Sequence, residues 1–406
     1  MQTDPLLLAN CRLYTATVDA APVDVLLRDG IIAEIGGSAP LDDVPILDAA
    51  GRTLAPGLID LHVHGAGGAD LMDGTPDALR TISRTLARLG TTAFLGTTFA
   101  TPWDGSHHLG VAAESVGLRG GGAVMLGLHL EGPFIHPERR GGIPLSSVHA
   151  FSEDALQTLL DTSAGTLRMM TIAPELEGGR RAVDALTCRA VIASFGHSTA
   201  SYEETREGIA AGITHCTHLF NAMPGLHHRE PGPLVALHES GKVTVQLISD
   251  GVHLSPPVVR FAREIFGERA VCVTDGMRTA GLPEGRYRFG ERDFESRGGA
   301  ARYMDGTLIG TSLSLLEVAV RFARYTGSSL AEAIAAASLA PARVLGLGDR
   351  KGSVEVGKDA DLILLDDAPE LWATIIGGEL VYRRDGAVSG PTSRSSAHIH
   401  PLHDRC

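Results

Sequence analysis

Short apolar segments alternate with amphipathic segments through the middle of the chain. Eight apolar segments stand out, at residues 58–63, 91–98, 123–130, 167–173, 190–195, 213–218, 243–249 and 271–274. Segments such as 75–90 and 255–267 repeat apolar residues at i, i+3, i+4 and i+7, which is typical of helices. Repeated β-then-α units predict an α/β fold with parallel strands, and eight such units fit a closed (β/α)8 TIM-type barrel better than an open sheet.

The two ends of the chain have a different pattern, with short alternating strands separated by Gly-rich turns. We therefore predict a barrel over residues 55–350 and a small discontinuous β-sandwich domain, built from residues 1–54 together with 351–388. Residues 389–406 are polar and rich in Ser and His, and we expect them to form a disordered tail.

Composition narrows the class of protein. The 406 residues are 44% apolar, enough for one large core, and the net charge of −13 without a basic stripe argues against a nucleic-acid partner. No apolar run is long enough to cross a bilayer, and the N-terminus lacks the features of a signal peptide. The five cysteines are scattered without CxxC spacing, which is typical of reduced thiols in a cytoplasmic protein.

Potential metal ligands follow several of the apolar segments. His62 and His64 end the first segment, and in a strand these alternate residues face the same side. Glu131, His197 and His218 follow or end the third, fifth and sixth segments. Imidazoles and carboxylates are ligands for Zn²⁺ and Fe²⁺. An isolated His-x-His pair is often only structural, but ligands from separate strand ends converge if the strands close into a barrel, so we predict a metal site.

Further polar residues near these ends suggest supporting roles. Asp275 ends the eighth segment, where a carboxylate can accept a proton from water and pass it to a leaving amine. His129 is placed to support the metal ligands, whereas His215 faces away from His218 and is interpreted as structural. The fourth segment has no lysine that could be carbamylated to bridge two metals, so any bridge must come from Glu131.

The motifs LHLEGPF, FGHS, THLFNAMPG, REPG, SDGVH, VTDGM and GTLIGTSL together resemble the amidohydrolase superfamily and, within it, the N-acetylglucosamine-6-phosphate deacetylase family. The resemblance spans nearly the whole chain apart from the tail. It implies metal-dependent hydrolysis of N-acetyl-D-glucosamine 6-phosphate to D-glucosamine 6-phosphate and acetate. It also implies one or two divalent ions per subunit, with Zn²⁺ as the first expectation and Fe²⁺ or another ion as the alternative.

The resemblance assigns roles to individual positions. Metal ligation falls on Glu131, His197 and His218, a second ion on His62 and His64, and the general acid/base on Asp275. Substrate contacts fall on Gly142, Asn221, Ala222, Arg229, Asp250, His253, Leu308, Ile309 and Gly310. In the family, an Arg and a His grip the sugar phosphate, often from the neighbouring subunit. Arg229 and His253 match these two residues. The resemblance therefore implies that the protein is a homodimer and that its ligand is a phosphorylated amino sugar.

One position departs from the family pattern. The loop after the third segment often carries a His that touches the substrate, and an ungapped alignment from EGPF places Ile143 there. Two other histidines of this loop, His136 and His149, are candidates to replace it. An amidohydrolase acting on N-acetylgalactosamine 6-phosphate or on an N-acyl amino acid therefore stays open, and a non-catalytic sugar-phosphate sensor is the alternative from another class.

Overall fold

The computed structural model describes residues 4–15, 21–37, 44–100, 106–289 and 292–384. The predicted tail, 389–406, lies outside these ranges. Within them, no helix combines the length and apolar character that a membrane span requires.

A parallel sheet forms the centre of the molecule. Its strands follow chain order and are Leu58–Val63, Thr91–Thr98, Val124–Glu131, Leu167–Ile172, Ile192–Phe195, His215–Cys216, Thr244–Leu247 and Ala270–Cys272. Each strand pairs in parallel with the next, from the first pair to the last. A parallel bridge between Val63 and Gly276 joins the two edges. The predicted (β/α)8 barrel is therefore confirmed.

Helices follow the strands and cover the outside of the sheet. They are Pro76–Arg88, His107–Ser115, Glu153–Thr162, Gly179–Thr187, Tyr202–Ala211, Gly232–Glu239, Pro256–Phe266, Leu315–Thr326, Leu330–Ala336 and Leu339–Val344. Ser152 caps the third helix, as expected, because its hydroxyl accepts a hydrogen bond from the Ala155 N–H at 3.1 Å. The helices turn apolar faces to the barrel, and Leu79, Ile82 and Phe322 are buried in one large core.

Several strands are shorter than their apolar segments, among them the sixth and the eighth. The sixth ends at Cys216, whereas the sequence pattern extends to residue 218, and the eighth ends at Cys272 instead of residue 274. The backbone leaves the β region soon after, with φ of 26° at His218 and 51° at Asp275. A strand requires negative φ, so these two residues lie in turns beyond the strands rather than within them.

The two ends of the chain share one further sheet. Its strands are Leu6–Leu13, Val23–Arg28, Ile31–Ile35, Ile46–Asp48, Thr53–Pro56, Leu362–Leu365, Leu371–Ile376 and Glu379–Arg383. Thr53–Pro56 joins the halves, because it pairs in parallel with Leu6–Leu13 and antiparallel with Leu362–Leu365. Leu54 and Leu362 share a small core of their own. The discontinuous domain is thus present, while its borders at residues 54 and 351 remain predictions.

An antiparallel insertion separates the last barrel strand from the helix Leu315–Thr326. Its strands are Gly285–Phe289, Arg292–Arg297, Ala300–Tyr303 and Leu308–Thr311. Hydrogen bonds of 2.9 Å from the Thr311 N–H to the Asp275 carbonyl and from the Met277 N–H to the Thr311 carbonyl fix it to the barrel. The insertion therefore lies against the strand end that carries Asp275.

Short elements complete the loops. They are the two-residue strands Gly65–Ala66 and Ala69–Asp70 and the 3₁₀ helices Leu71–Asp73, Pro137–Arg139, Leu145–Ser147 and Gly267–Arg269.

Candidate active site

His62 and His64 point to the same side of the first barrel strand. Their Nε2 atoms are 3.2 Å apart, and both rings are buried. Each lies near Glu131, with His62 Nε2 3.5 Å from Oε1 and His64 Nε2 3.3 Å from Oε2. The period-two geometry of the strand thus brings the His-x-His pair and the acid of the third strand together.

Glu131 also meets two histidines from the opposite side of the barrel. Its Oε1 lies 2.9 Å from His197 Nε2 and 3.0 Å from His218 Nε2, and these two nitrogens are 2.9 Å apart. Within the described residues, the groups suited to a metal ion are His62–His64–Glu131 and Glu131–His197–His218. We call them the first and second donor sets. They share Glu131, so one carboxylate faces both.

Asp275 closes the first donor set. Its Oδ1 lies 3.4 Å from the Nε2 atoms of both His62 and His64. All the residues predicted as metal ligands and the predicted proton acceptor are therefore within one cluster at the carboxyl ends of the strands, which is where barrels place their reactive groups.

Three residues of the cluster have unusual backbone conformations. His197, His218 and Asp275 have φ of 49°, 26° and 51°. Each such conformation of a non-glycine residue costs about 1–3 kcal/mol and persists only where the surrounding contacts offset that cost. His197 is held by a 2.6 Å contact between its Nδ1 and the Arg139 carbonyl, and the His136 N–H donates to its carbonyl at 2.9 Å. The turns direct three side chains inward from the strand ends.

Burial and charge act against each other in the cluster. Burial raises the pKa of Glu131, but His62, His197 and His218 outweigh it and hold the pKa well below its usual range. Burial lowers the pKa of His64, yet hydrogen bonds to Asp275 and Glu131 raise it to about 10. In the metal-free protein, protons on imidazoles thus balance the buried carboxylates, a role that a divalent cation can also fill.

The donor geometry fits a divalent ion. Ligand atoms about 2.0–2.2 Å from one ion lie about 3.3–3.6 Å from each other in a tetrahedral arrangement and about 2.8–3.1 Å in an octahedral one. The first donor set and Asp275 have spacings of 3.2–3.5 Å, and the second set 2.9–3.0 Å. Nitrogen and carboxylate donors without sulfur suit Zn²⁺ or Fe²⁺.

A buried polar layer supports the ligands from below. The rings of His129 and His62 pack in a T-shaped arrangement with their centroids 4.8 Å apart. The nitrogens of His129 lie 3.2 Å from the Thr97 hydroxyl and 2.8 Å from the Thr171 hydroxyl. His129 thus contacts a candidate ligand, as expected of a supporting residue. His215 instead bonds the Thr244 hydroxyl at 2.6 Å, and burial lowers its pKa to about 3.

The cluster lies at the base of a cavity of about 710 Å³, including its open end. Most of the predicted substrate contacts line this cavity beside the metal-ligand candidates. They are Gly142, Asn221, Ala222, His253, Leu308, Ile309 and Gly310.

Two predicted contacts lie elsewhere. Asp250 is buried behind His253 and accepts its Nδ1–H at 2.7 Å, so it orients that ring instead of lining the cavity. Arg229 is exposed, lies 2.6 Å from His228 and is absent from the cavity of its own chain. His253, by contrast, lines its own chain's cavity. Among the described lining residues, none is Arg or Lys.

Apolar residues form walls that the sequence did not mark as functional. Phe99, Met277, Phe289 and Tyr303 line the cavity. Ile143 joins them and is buried in a cluster with Phe99. Neither His136 nor His149 lines the cavity, so neither replaces the histidine expected at Ile143. Apolar residues in a barrel resemble core residues, and no local sequence signal separates the two.

Comparisons with known proteins agree with this architecture. The model of the family described as Amidohydrolase family matches residues 53–381. Human N-acetylglucosamine-6-phosphate deacetylase is 38% identical over 84% of this chain and 86% of its own length. N-acetylgalactosamine-6-phosphate deacetylase of Escherichia coli O157:H7 is 36% identical over 87% of this chain and 93% of its own length. A solved structure shows a mutant N-acetyl-D-glucosamine-6-phosphate deacetylase from Mycobacterium smegmatis in complex with N-acetyl-D-glucosamine-6-phosphate. It superposes on this chain with a TM-score of 0.83 at 32% identity, and the match covers 93% of this chain and 99% of that one.

Proposed function

This chain belongs to the amidohydrolase family, and on that premise we propose that it hydrolyses N-acetyl-D-glucosamine 6-phosphate to D-glucosamine 6-phosphate and acetate. The observation that carries the proposal is the cavity whose base holds Glu131 between the two donor sets, with Asp275 beside them. Relatives named for this activity match more than four fifths of the chain. The enzyme is thus a hydrolase of the amide bond in an amino-sugar phosphate.

We propose that Glu131, His197 and His218 hold one divalent ion and that His62 and His64, with Glu131, hold a second. Zn²⁺ is the ion that this nitrogen-rich set suits best, with Fe²⁺ as the alternative. An ion held by these residues would supply Lewis-acid activation of the acetyl carbonyl and of the attacking water. Because Glu131 faces both donor sets, its carboxylate would contribute to holding both ions.

Asp275 is proposed as the proton carrier. Its carboxylate lies at the base of the cavity, and neighbouring His62 and His64 outweigh burial and keep its pKa below the ordinary value. It is therefore an anion at neutral pH and can accept a proton from the attacking water. The same group then donates that proton to the nitrogen as the amide C–N bond breaks, so that the amine leaves neutral.

The cavity walls are proposed to orient the sugar. Asn221 and the backbone of Leu308, Ile309 and Gly310 offer hydrogen-bonding groups, while the apolar face of Tyr303 gives the ring a surface to pack on. His253 lines the cavity with Asp250 behind it and is proposed to bind the phosphate. The 2.7 Å contact with the Asp250 carboxylate holds the His253 ring in one orientation for this role.

We propose a homodimer in which Arg229 of one subunit reaches the phosphate bound by the other. Two observations support this arrangement. Arg229 is exposed outside its own cavity, and the described lining residues include no permanently charged cation to balance a phosphate dianion. Arg is the side chain best suited to bidentate phosphate binding.

We also place the enzyme in the cytoplasm, since the cysteines of the described residues are free thiols.

An acetate-release assay on protein of measured metal content tests the proposal. We expect turnover of N-acetyl-D-glucosamine 6-phosphate, a much lower kcat/KM for unphosphorylated N-acetyl-D-glucosamine, and loss of turnover after chelation that added Zn²⁺ restores. Metal-loaded protein that releases no acetate from the phosphorylated sugar would contradict it.

N-acetyl-D-galactosamine 6-phosphate is the second candidate substrate. A relative named for this epimer is 36% identical, close to the value for the glucosamine enzymes, and apolar Ile143 stands where the family often has a histidine. The ratio of kcat/KM for the two epimers, measured on the same preparation, decides between them.

A further inference from the structure

Gln246 is the side chain that connects the two donor sets from inside the barrel. It lies on the strand Thr244–Leu247 and is fully buried. Its Oε1 is 3.1 Å from His62 Nδ1, in the first donor set, and 3.2 Å from the backbone nitrogen of His218, in the second. Its own carbonyl accepts the Leu219 N–H at 2.9 Å. No sequence motif marks this residue.

The contact with His218 determines which way the amide of Gln246 faces. A backbone N–H can only donate, so the atom opposite it must be the amide oxygen and not the NH₂ group. The Nε2 of Gln246 accordingly points to the sulfur of Met169 at 3.9 Å. The orientation of the Gln246 amide is thus set by the backbone N–H of His218, which can only donate a hydrogen bond.

The amide oxygen in turn determines the tautomer of His62. An oxygen that only accepts requires a proton on the nitrogen that faces it, so Nδ1 of His62 carries the hydrogen. In the neutral ring, the lone pair is then on Nε2, the atom that faces His64, Glu131 and Asp275. A metal-ligating His needs this arrangement, since the ring nitrogen opposite the ligand atom usually donates to a fixed acceptor.

We infer that Gln246 is a positioning residue for metal binding, acting on His62 by holding it in the tautomer whose Nε2 binds the ion. This inference rests on the proposed metal site. Its neutral amide supplies an acceptor without adding a third carboxylate to a cluster that already contains Glu131 and Asp275. Removing it leaves Nδ1–H of His62 unsatisfied in the interior and allows the ring to present the wrong nitrogen.

The test measures divalent-ion affinity of chelator-stripped protein, by calorimetric titration with Zn²⁺ and by metal content after dialysis. Gln246→Met preserves the length of the side chain but replaces the amide with a thioether and a methyl group, so the oxygen that faces His62 Nδ1 is lost. We expect it to weaken the ion that His62 helps to hold by about 10- to 100-fold. Gln246→Glu, which keeps an acceptor facing Nδ1, should bind this ion at least as tightly as the wild type does. Met169→Leu is the matched control, because Met169 faces the amide nitrogen of Gln246 and not its oxygen. This variant should bind Zn²⁺ as the wild type does.

A His62→Asn background separates positioning from general destabilisation. If Gln246 acts through His62, Gln246→Met should have little further effect on affinity once His62 is gone. An equal fold-loss in both backgrounds, or unchanged affinity in the single variant, would overturn the inference. Gln246→Asn, too short to reach His62, carries the same test if Gln246→Met does not fold, as judged by circular dichroism. A wild-type protein that binds no divalent ion would instead refute the proposed metal-dependent function.

Discussion

Asp275 Oδ1 lies 3.4 Å from the Nε2 atom of His64, although the two residues are far apart in the sequence. This contact places the proposed proton carrier next to the first donor set and within the cavity. A group in that position touches both the site proposed for the ion and the space available to a substrate, which is what proton transfer during amide hydrolysis requires.

Asp275→Asn should lower kcat by about 10²–10⁴-fold, because the amide cannot accept a proton from water. The second donor set does not include Asp275, so bound metal should persist there. Acetate release measures the rate, and metal analysis measures the content. Asp293→Asn, an exposed change in the insertion, is the control and should retain wild-type turnover. Asp275→Asn enzyme with substantial activity would exclude the proposed role.

Glu131→Gln should remove more metal than any single histidine change. The carboxylate belongs to both donor sets, so the loss of its charge weakens both. His197→Asn affects the second set alone, and we expect it to leave the first set competent. Metal content after dialysis against a fixed low Zn²⁺ concentration distinguishes them. Equal content in Glu131→Gln and wild type would show that Glu131 is not the shared ligand.

Arg229→Ala should raise KM for the phosphorylated substrate, with little change in kcat/KM for N-acetyl-D-glucosamine, because only the phosphate contact is lost. A bidentate Arg–phosphate contact is among the stronger hydrogen-bonded pairs, so an effect of at least about tenfold is expected. Steady-state kinetics on both substrates measures it. Equal loss on both substrates would indicate a structural role.

Mixing two defective variants tests whether Arg229 acts across a dimer. Asp275→Asn subunits supply Arg229 and Arg229→Ala subunits supply Asp275. At substrate concentrations well below the KM of Arg229→Ala, co-refolded or co-expressed mixtures should therefore turn over faster than the sum of the two variants measured separately. If Arg229 serves its own subunit, or if the protein sediments as a monomer, the mixture will show no gain over that sum.

The metal-free protein should lose stability as pH rises from about 6.5 towards 10. The pKa of His64 is raised from its ordinary value of 6.5 to about 10, since hydrogen bonds to Asp275 and Glu131 outweigh burial. A group whose folded-state pKa is raised contributes stability that is complete below the unfolded pKa and disappears as pH passes the folded pKa.

Thermal unfolding of chelated protein between pH 6 and 10 measures this effect, and His64→Asn should flatten the curve. Zn²⁺ binding at pH 7 should also release protons, detectable as a dependence of calorimetric heat on the buffer. A melting temperature that rises over this pH range would contradict the assignment.

Local sequence patterns were sufficient to predict the barrel strands and to identify the residues of the buried polar cluster. The segments 58–63 and 91–98 correspond to the observed strands Leu58–Val63 and Thr91–Thr98, because buried parallel strands require continuous apolar runs. Burial favours apolar residues along such a run, so a polar residue at its end stands out in the sequence. His62, Glu131 and His197 were found in this way.

Other features depend on contacts that no local pattern encodes. Phe99 and Tyr303 line the cavity but have the composition of ordinary core residues. Asp250 was expected to contact the substrate, and the structure places it behind His253. Gln246 connects His62 with His218 only because the seventh strand lies beside the sixth within the closed barrel.

The amino-acid sequence alone determined the parallel β/α architecture and the set of residues proposed to bind metal and transfer protons, because periodicity and side-chain type are local properties. Only the tertiary structure decided that Glu131 faces two donor sets, that His253 lines its own cavity while Arg229 does not, and that the amide of Gln246 faces His62. These relationships depend on distances of about 3 Å between residues far apart in the chain, and closure of the barrel sets those distances.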